Sequence, residues 1–245
     1  LIKSQSTLAI NWKELFRYRE LLYTLAWRDI KIRYKQTAIG ILWAIIQPLF
    51  LTIVFTFVFG RLANISSEGL PYALFSFTGL LFWNFFSNSL TSAASSLVAN
   101  EALIKKVYFP RIFIPFSSLA VNLLDFFIAG FILALILIYY QFAPALLGIL
   151  LVIPLLVIVI LTAGGLGFLL SAVNVRYRDV RYALPFFIQL LLFVTPVIYP
   201  ISMVGDRLRT LLLFNPLTGV IETFRAALLG KGYVSWELLL IRFCL

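Results

Sequence analysis

Apolar residues run along this chain in long blocks separated by short polar or basic stretches. A helix needs about 20 apolar residues to cross the hydrocarbon core of a bilayer. Five blocks reach or approach that length: residues 39–60, 72–98, 112–140, 145–173 and 183–200. A sixth starts near Val234, and the sequence stops inside it at Leu245. The pattern predicts an all-α integral membrane protein with six transmembrane helices, the sixth truncated. Leu1 stands where an initiator methionine would be, so the chain is expected to continue beyond both ends.

Two stretches follow a different pattern. Leu8, Trp12, Leu15, Phe16, Leu22, Tyr23, Ala26 and Ile30 recur at spacings of three and four, with Lys13, Arg17 and Glu20 between them. That is an amphipathic helix with basic flanks, suited either to a plain membrane anchor or to a partner surface at the interface. No compact apolar core precedes a cleavage site there, as a signal peptide requires. Residues 201–233 hold two apolar runs too short to cross, 211–214 and 220–229, divided by Asn215-Pro216 and closed by Gly230 and Gly232. An outer re-entrant helical hairpin fits them, and backbone at that depth must face protein or water. The expected organisation is a cytoplasmic segment over 1–38 and a transmembrane domain over 39–245.

Charge then gives the chain a direction. Residues 1–38 hold eight cations: Lys3, Lys13, Arg17, Arg19, Arg28, Lys31, Arg33 and Lys35. Lys105, Lys106 and Arg111 lie between spans two and three, and Arg176, Arg178 and Arg181 between spans four and five. The other side carries only Arg61, Arg207, Arg209, Arg225 and Lys231. The positive-inside rule places the N-terminus in the cytoplasm. The net charge of +10 therefore reflects topology, and nucleic acid is not an expected partner.

Composition narrows the chemistry. The chain is 62% hydrophobic and 12% charged over 245 residues, against roughly a quarter charged in a soluble domain. It has no histidine and one cysteine, Cys244, so imidazole catalysis, a disulfide framework and a multi-cysteine zinc site are excluded. No G-x-x-x-x-G-K-[ST] phosphate loop is present. Asp125 is the single acid inside a clear span, and a lone carboxylate there reads better as a structural pairing than as a proton relay. Small residues repeat at four-residue spacing on span four (Ala163, Gly167, Ser171) and on span two (Ser89, Ala93 and Leu97, or Ser92 and Ser96), as close helix packing requires. Pro48, Pro115, Pro154, Pro185 and Pro196 are expected to bend or break their spans.

Several short motifs then point to a family. Arg33-Tyr34-Lys35-Gln36-Thr37, followed by Ile39-Gly40, Leu42-Trp43 and Pro48-Leu49, resembles the opening motif of polysaccharide-export permeases. Phe109-Pro110-Arg111, Tyr177-Arg178-Asp179 and Asn215-Pro216-Leu217-Thr218 are similar to the same family in order and spacing. These permeases are the membrane subunits of ATP-binding-cassette exporters of O-antigen, capsule and teichoic acid. The resemblance implies a homodimer in the bacterial cytoplasmic membrane, with two copies of a separate cytoplasmic ATPase. That partner would bind ATP and magnesium, and this chain would hold no cofactor or metal and catalyse nothing.

The resemblance also assigns roles by position. A coupling helix over 100–107 would dock on the ATPase through Asn100, Glu101, Leu103, Ile104, Lys105 and Lys106, beside Arg178 and Asp179. The substrate implied is a glycan on a polyprenyl diphosphate, O-antigen first among the candidates. Sugars stack on aromatic rings and exchange hydrogen bonds with amides and hydroxyls, so Trp43, Gln47, Trp83, Phe86, Asn88, Phe193, Thr195 and Tyr199 are the expected channel lining. Arg28, Lys31, Arg33 and Lys35 would meet the diphosphate at the entrance, although the same cations also obey the positive-inside rule. Asn215, Pro216, Glu222 and Arg225 would form an outer gate. A drug or antibiotic efflux permease with a compact cavity, a proton-coupled secondary transporter and a non-transporting scaffold are the alternatives.

Overall fold

The path of the chain is set by one long helix that every neighbour leans on. The computed structural model describes residues 16–35, 42–177 and 179–230. Nine α-helices are found among them: α1 (Arg19–Lys35), α2 (Leu42–Phe55), α3 (Tyr72–Ala99), α4 (Glu101–Lys106), α5 (Phe113–Tyr139), α6 (Leu146–Arg176), α7 (Val180–Val194), α8 (Asp206–Leu213) and α9 (Pro216–Leu229). Wider π-type turns carry α2 on to Leu62. Three helices among the described residues are long and apolar enough to cross a membrane: Leu42–Leu62, Phe113–Tyr139 and Leu146–Arg176.

α3 has the length of a span without the uniform apolarity, and its position explains why. At 28 residues it is about 42 Å long. α5, α6, α2 and α9 pack around it, so its Ser, Thr and Asn positions meet protein where the outer helices meet lipid. The outer helices show the opposite pattern. Phe127, Phe131, Leu135 and Ile138 on α5 stand exposed at spacings of three and four, as do Leu146, Leu150, Ile153, Val157 and Leu161 on α6. An apolar exterior of that extent fits a bilayer and not water.

Glycine and alanine set the closest helix crossings. A Cβ on Gly167 would lie 2.6 Å from the Ala93 Cβ, which joins the small-residue stripes of α6 and α3 inside one subunit. The Asn174 amide donates to the Ala94 carbonyl at 2.9 Å and closes the same crossing. At the other end of α6, a Cβ on Gly148 would lie 2.6 Å from the Leu228 nitrogen and 2.8 Å from the Ala227 carbonyl carbon. These are backbone atoms of α9, and they have no rotamer into which to retreat. Gly148→Ala should therefore cost roughly 1–3 kcal/mol by overpacking. Gly165→Ala, where nothing lies within 4 Å, should leave stability unchanged. Thermal unfolding of the two purified variants checks the contrast.

The fifth expected span ends early. The helix covers Val180–Val194, and residues 195–200 are not helical. Pro196 drives its predecessor out of the α region, and Thr195 is accordingly extended at φ −80°, ψ 136°. Beyond it, α8 and α9 form a bent pair with 96° between them. The bend sits at Asn215-Pro216. The Asn215 side chain accepts from the Leu217 N–H at 3.0 Å, Pro216 opens α9, and Gly230 ends it at φ 65°. The sixth expected span, over 234–245, lies outside the described residues, as do Leu8, Trp12 and Leu15 of the N-terminal pattern.

Candidate functional site

α1 and α5 run in the same direction, side by side, and their polar residues meet in register. Leu25 packs with Phe109, Phe113 and Ile114. One turn on, Ser117 Oγ donates to Asp29 at 2.9 Å. Further along, Arg33 pairs with Asp125 at 2.7 Å and donates to the Asn122 amide oxygen at 3.0 Å. The Tyr34 hydroxyl donates to the other Asp125 oxygen. Burial first, and then the Asp125 carboxylate beside it, raise the Tyr34 phenol well above its ordinary range. Asp125 is thus a structural partner for α1, as its isolation in the sequence predicted.

These residues form one wall of a cavity of about 170 Å³. α2 contributes Trp43 and Gln47, α3 contributes Asn84 and Asn88, and α5 contributes Asn122 and Asp125. Three of the eight expected channel residues (Trp43, Gln47 and Asn88) and one expected entrance cation (Arg33) therefore converge here. The amides of Gln47, Asn84 and Asn88 have no hydrogen-bond partner among the described residues. A carboxamide both donates and accepts, so the cavity offers matched groups to a polyhydroxylated ligand and a flat indole face to a sugar ring.

From the cavity a polar stripe continues along α3 through Asn88, Ser92 and Ser95 to Asn100. Arg28, Arg33, Ser92, Ser95 and Ser118 line a second, more open groove there. Arg28 joins this groove to α4. It donates to Asp29 at 2.9 and 2.7 Å and to the Asn100 side chain at 2.9 Å.

α4 is short and outward-facing. Glu101 and Lys105 pair at 2.5 Å with side chains 63% and 71% exposed, and Lys106 is also exposed. Leu103 and Ile104 turn inward onto the cluster that holds α1 and the start of α5. The helix therefore has a charged outer face and an apolar inner one that packs against α1 and the start of α5. Asp179 opens α7, with its carbonyl accepting from the N–H groups of Tyr182 and Ala183. Arg178 lies outside the described residues.

Other expected site residues serve different ends. Trp83 and Phe86 are 4% and 2% exposed and pack in the subunit core with Phe82 and Phe85. A wall residue must be reachable by the ligand, and the face of α3 that stays open carries Asn84 and Asn88. Thr195 is fully buried and accepts from the Asn215 amide at 2.9 Å. Tyr199 donates to the carbonyls of Phe193 and Val194 at 3.1 and 3.2 Å, capping the end of α7. Phe193 is exposed. Of the entrance cations, Lys31 lies over the Trp27 ring at 5.4 Å and Lys35 is exposed.

Glu222 and Arg225 are buried where a gate was expected. Arg225 is 1% exposed. It pairs with Glu222 at 3.2 Å and donates to the carbonyls of Pro196, Val197 and Phe75 at 2.8, 2.6 and 3.0 Å. Its guanidinium stacks on Phe75 at 3.7 Å from the ring centroid. The next carbonyl, Ile198, accepts from the Tyr72 hydroxyl at 2.6 Å. The break after α7 exposes three successive carbonyls, and this cluster satisfies all three, as backbone at membrane depth demands. Gly79 makes room, since a Cβ there would lie 2.5 Å from Arg225 Nη2. The buried pair is a fixed staple between α9, α3 and the break.

Asn122 belongs to the site but was not singled out from the sequence, and Tyr34 was read there only as part of the opening motif. Asn122 and Asp125 are three residues apart and so share one helix face, which is a readable signal. Asn84, Asn88, Ser92 and Ser95 follow one another at helical spacing and carry the same kind of signal.

An all-helical membrane-embedded bundle, a short charged helix at one end and a polar track leading inward define a membrane-transport subunit. Residues 20–229 match the family described as ABC-2 type transporter, and the chain belongs to it. It is 30% identical over 219 residues to the O-antigen export system permease protein RfbA of Klebsiella pneumoniae, covering 89% of this chain and 83% of that protein. The protein of the same name from Myxococcus xanthus is 31% identical over 217 residues, covering 87% and 82%. The polysialic acid transport protein KpsM of Escherichia coli is 25% identical over 214 residues, covering 85% and 80%.

Proposed function

We propose that this chain is the transmembrane subunit of an ATP-driven ABC exporter that moves a polyprenyl-diphosphate-linked polysaccharide, O-antigen in the first place, across the bacterial cytoplasmic membrane. Family membership and the functions its relatives are named for, O-antigen export and polysialic acid transport, support the reading. The observation that carries it in the structure is the polar track on α3, from Asn84 and Asn88 beside Trp43 to Asn100 at α4. Many weak amide and hydroxyl contacts suit a sliding glycan better than one tight pocket would.

Two copies of the chain would enclose the channel, each crossing the membrane six times with the N-terminus in the cytoplasm. The α8–α9 pair would form the outer re-entrant hairpin. α4 would dock on one of two cytoplasmic ATPase copies, which bind ATP and magnesium and perform the hydrolysis. Movement of α4 would reach the cavity along α3 and α5, and through Asn100–Arg28 along α1.

Cells deprived of this chain should lose the polysaccharide from their surface and retain its lipid-linked form inside. Unchanged surface polysaccharide in the deletion strain would contradict the function. The small volume of the inner cavity, about 170 Å³, favours one second reading, export of a compact drug-like molecule. That reading predicts unchanged surface polysaccharide together with increased drug sensitivity.

A further inference from the structure

The loop between α2 and α3 holds a glutamate in a backbone conformation that its side chain does not favour. Glu68 sits in the left-handed region at φ 56°, next to Gly69 at φ 78°, and Asn64 is a second such position at φ 50°. Asparagine tolerates that region, whereas glutamate adopts it rarely. A residue kept there is held by what surrounds it. The Glu68 carboxylate accepts from the Ser202 hydroxyl at 2.7 Å, across 134 positions of sequence. It also stands within electrostatic reach of Glu222 and Arg225, and Arg209 of α8 stands within reach of Glu222. Two acids and two cations thus draw the loop, α8 and α9 together.

Both ends of this loop are anchored. The wide turns that carry α2 to Leu62 are closed by Ala63 and Ile65, whose N–H groups donate to the Val58 and Phe59 carbonyls at 2.9 Å each. A Cβ on Gly60 would lie 2.9 Å from Tyr72 Cγ, so these turns seat directly on the first residue of α3. At the far end Leu70 is buried, and its N–H donates to the Ser67 carbonyl at 3.1 Å. The loop and the start of α3 therefore grip the segment after α7 at two points, Tyr72 on Ile198 and Glu68 on Ser202. α8 has little other support. Arg207, Leu208, Thr210 and Leu211 are exposed, and α9 is its chief helix neighbour.

We infer that residues 63–71 form a strap on the α8 arm of the hairpin, with the Glu68–Ser202 bond as its clasp, and that α8 leaves this position only when the bond opens. The Arg225 staple fixes α9, so α8 has the Asn215-Pro216 bend as its pivot. The clasp is reversible by construction. The bond to Ser202 offsets an unfavourable backbone at Glu68, and opening it lets that residue return to an ordinary conformation. The strap follows from these contacts alone. Its service as a lock on the exit rests on the reading of the α8–α9 pair as an outer gate.

Hydrogen–deuterium exchange of the purified transporter complex tests the clasp without requiring transport. Ser202→Ala removes the donor, and Glu68→Gln removes the charge while keeping the shape. Each should speed amide exchange across α8 by about threefold to tenfold, the effect of losing one hydrogen bond that holds a locally opening segment. The double variant should add nothing further, because both changes cut the same bond. α9, held by Arg225, should exchange as in the wild type. Unchanged exchange in α8 for both single variants, or equal acceleration in α8, α9 and α3, would overturn the strap. Its role in export is read separately with Glu68→Cys/Ser202→Cys in a Cys244→Ser chain, joined by a short reducible thiol cross-linker. ATP-driven export should stop while the link is in place and resume on reduction. Export that continues through the link, with α8 exchange altered as predicted, keeps the strap and overturns its role as a lock on the exit.

Discussion

Alanine at Glu101, Lys105 and Lys106 together will stop ATP-driven export while leaving the subunit inserted and folded. The three side chains point away from the protein, and the Glu101–Lys105 pair is more than half exposed at both ends. An exposed i,i+4 pair is worth only about 0.3–0.5 kcal/mol to the helix that carries it, so the fold has little to lose. A docking surface has more to lose, because charges across an interface set both the encounter rate and the register. We expect export to fall at least about tenfold, with ATP hydrolysis by the complex no longer tied to transport. Leu103→Ala/Ile104→Ala should show the converse pattern. Those side chains pack on α1 and the start of α5, so the melting temperature should drop as well. Export rates and thermal unfolding measured on the same preparations separate the two cases. Normal export by the triple variant would remove α4 from the coupling path.

The largest loss of stability is expected at Arg225. Methionine there keeps much of the side-chain length and the contact with Phe75, but leaves the Glu222 carboxylate and the carbonyls of Phe75, Pro196 and Val197 without their donor. Breaking a buried pair in this way costs on the order of 3–5 kcal/mol. Arg225→Lys should recover only part of it, because an ammonium cannot reproduce the fork that spans two successive carbonyls. The expected result is a large fall in melting temperature for Arg225→Met, a smaller one for Arg225→Lys, and little change for Arg207→Met, whose side chain is exposed on α8. A Met variant as stable as the wild type would show that the staple does not hold α9.

The long apolar runs made most of the helices readable. The expected span over 72–98 is α3 nearly to the residue, and 112–140 contains α5. The run over 183–200 misled because hydropathy does not register the backbone. Pro196 ends the helix two residues before it, and the apolar residues beyond are buried without being helical. The aromatic stretch around Trp83 misled for a related reason. Its composition suits a sugar-binding wall, yet the 3.6-residue period turns Phe82, Trp83 and Phe86 into the core, and the face that borders the cavity carries Asn84, Phe85 and Asn88.

The contacts of α1 and Arg225 could not have been read from local sequence. Arg33 and Asp125 are 92 positions apart, and the carbonyls that receive Arg225 lie 28 to 150 positions away. A cation in an apolar run announces that it needs partners without naming them. The small-residue stripes were more informative. Gly167 and Ala93 meet across one crossing, because only residues without bulk allow two helices to approach so closely.

The most direct test of the central claim is purification of this chain from its native membrane under mild conditions, with mass spectrometry of what remains bound and ATP-dependent transport in vesicles. An ATPase carrying a phosphate loop should co-purify in equal stoichiometry, and vesicles holding both proteins should move lipid-linked polysaccharide only when ATP is supplied. A dimer of this chain that binds no ATPase and transports without ATP would contradict it.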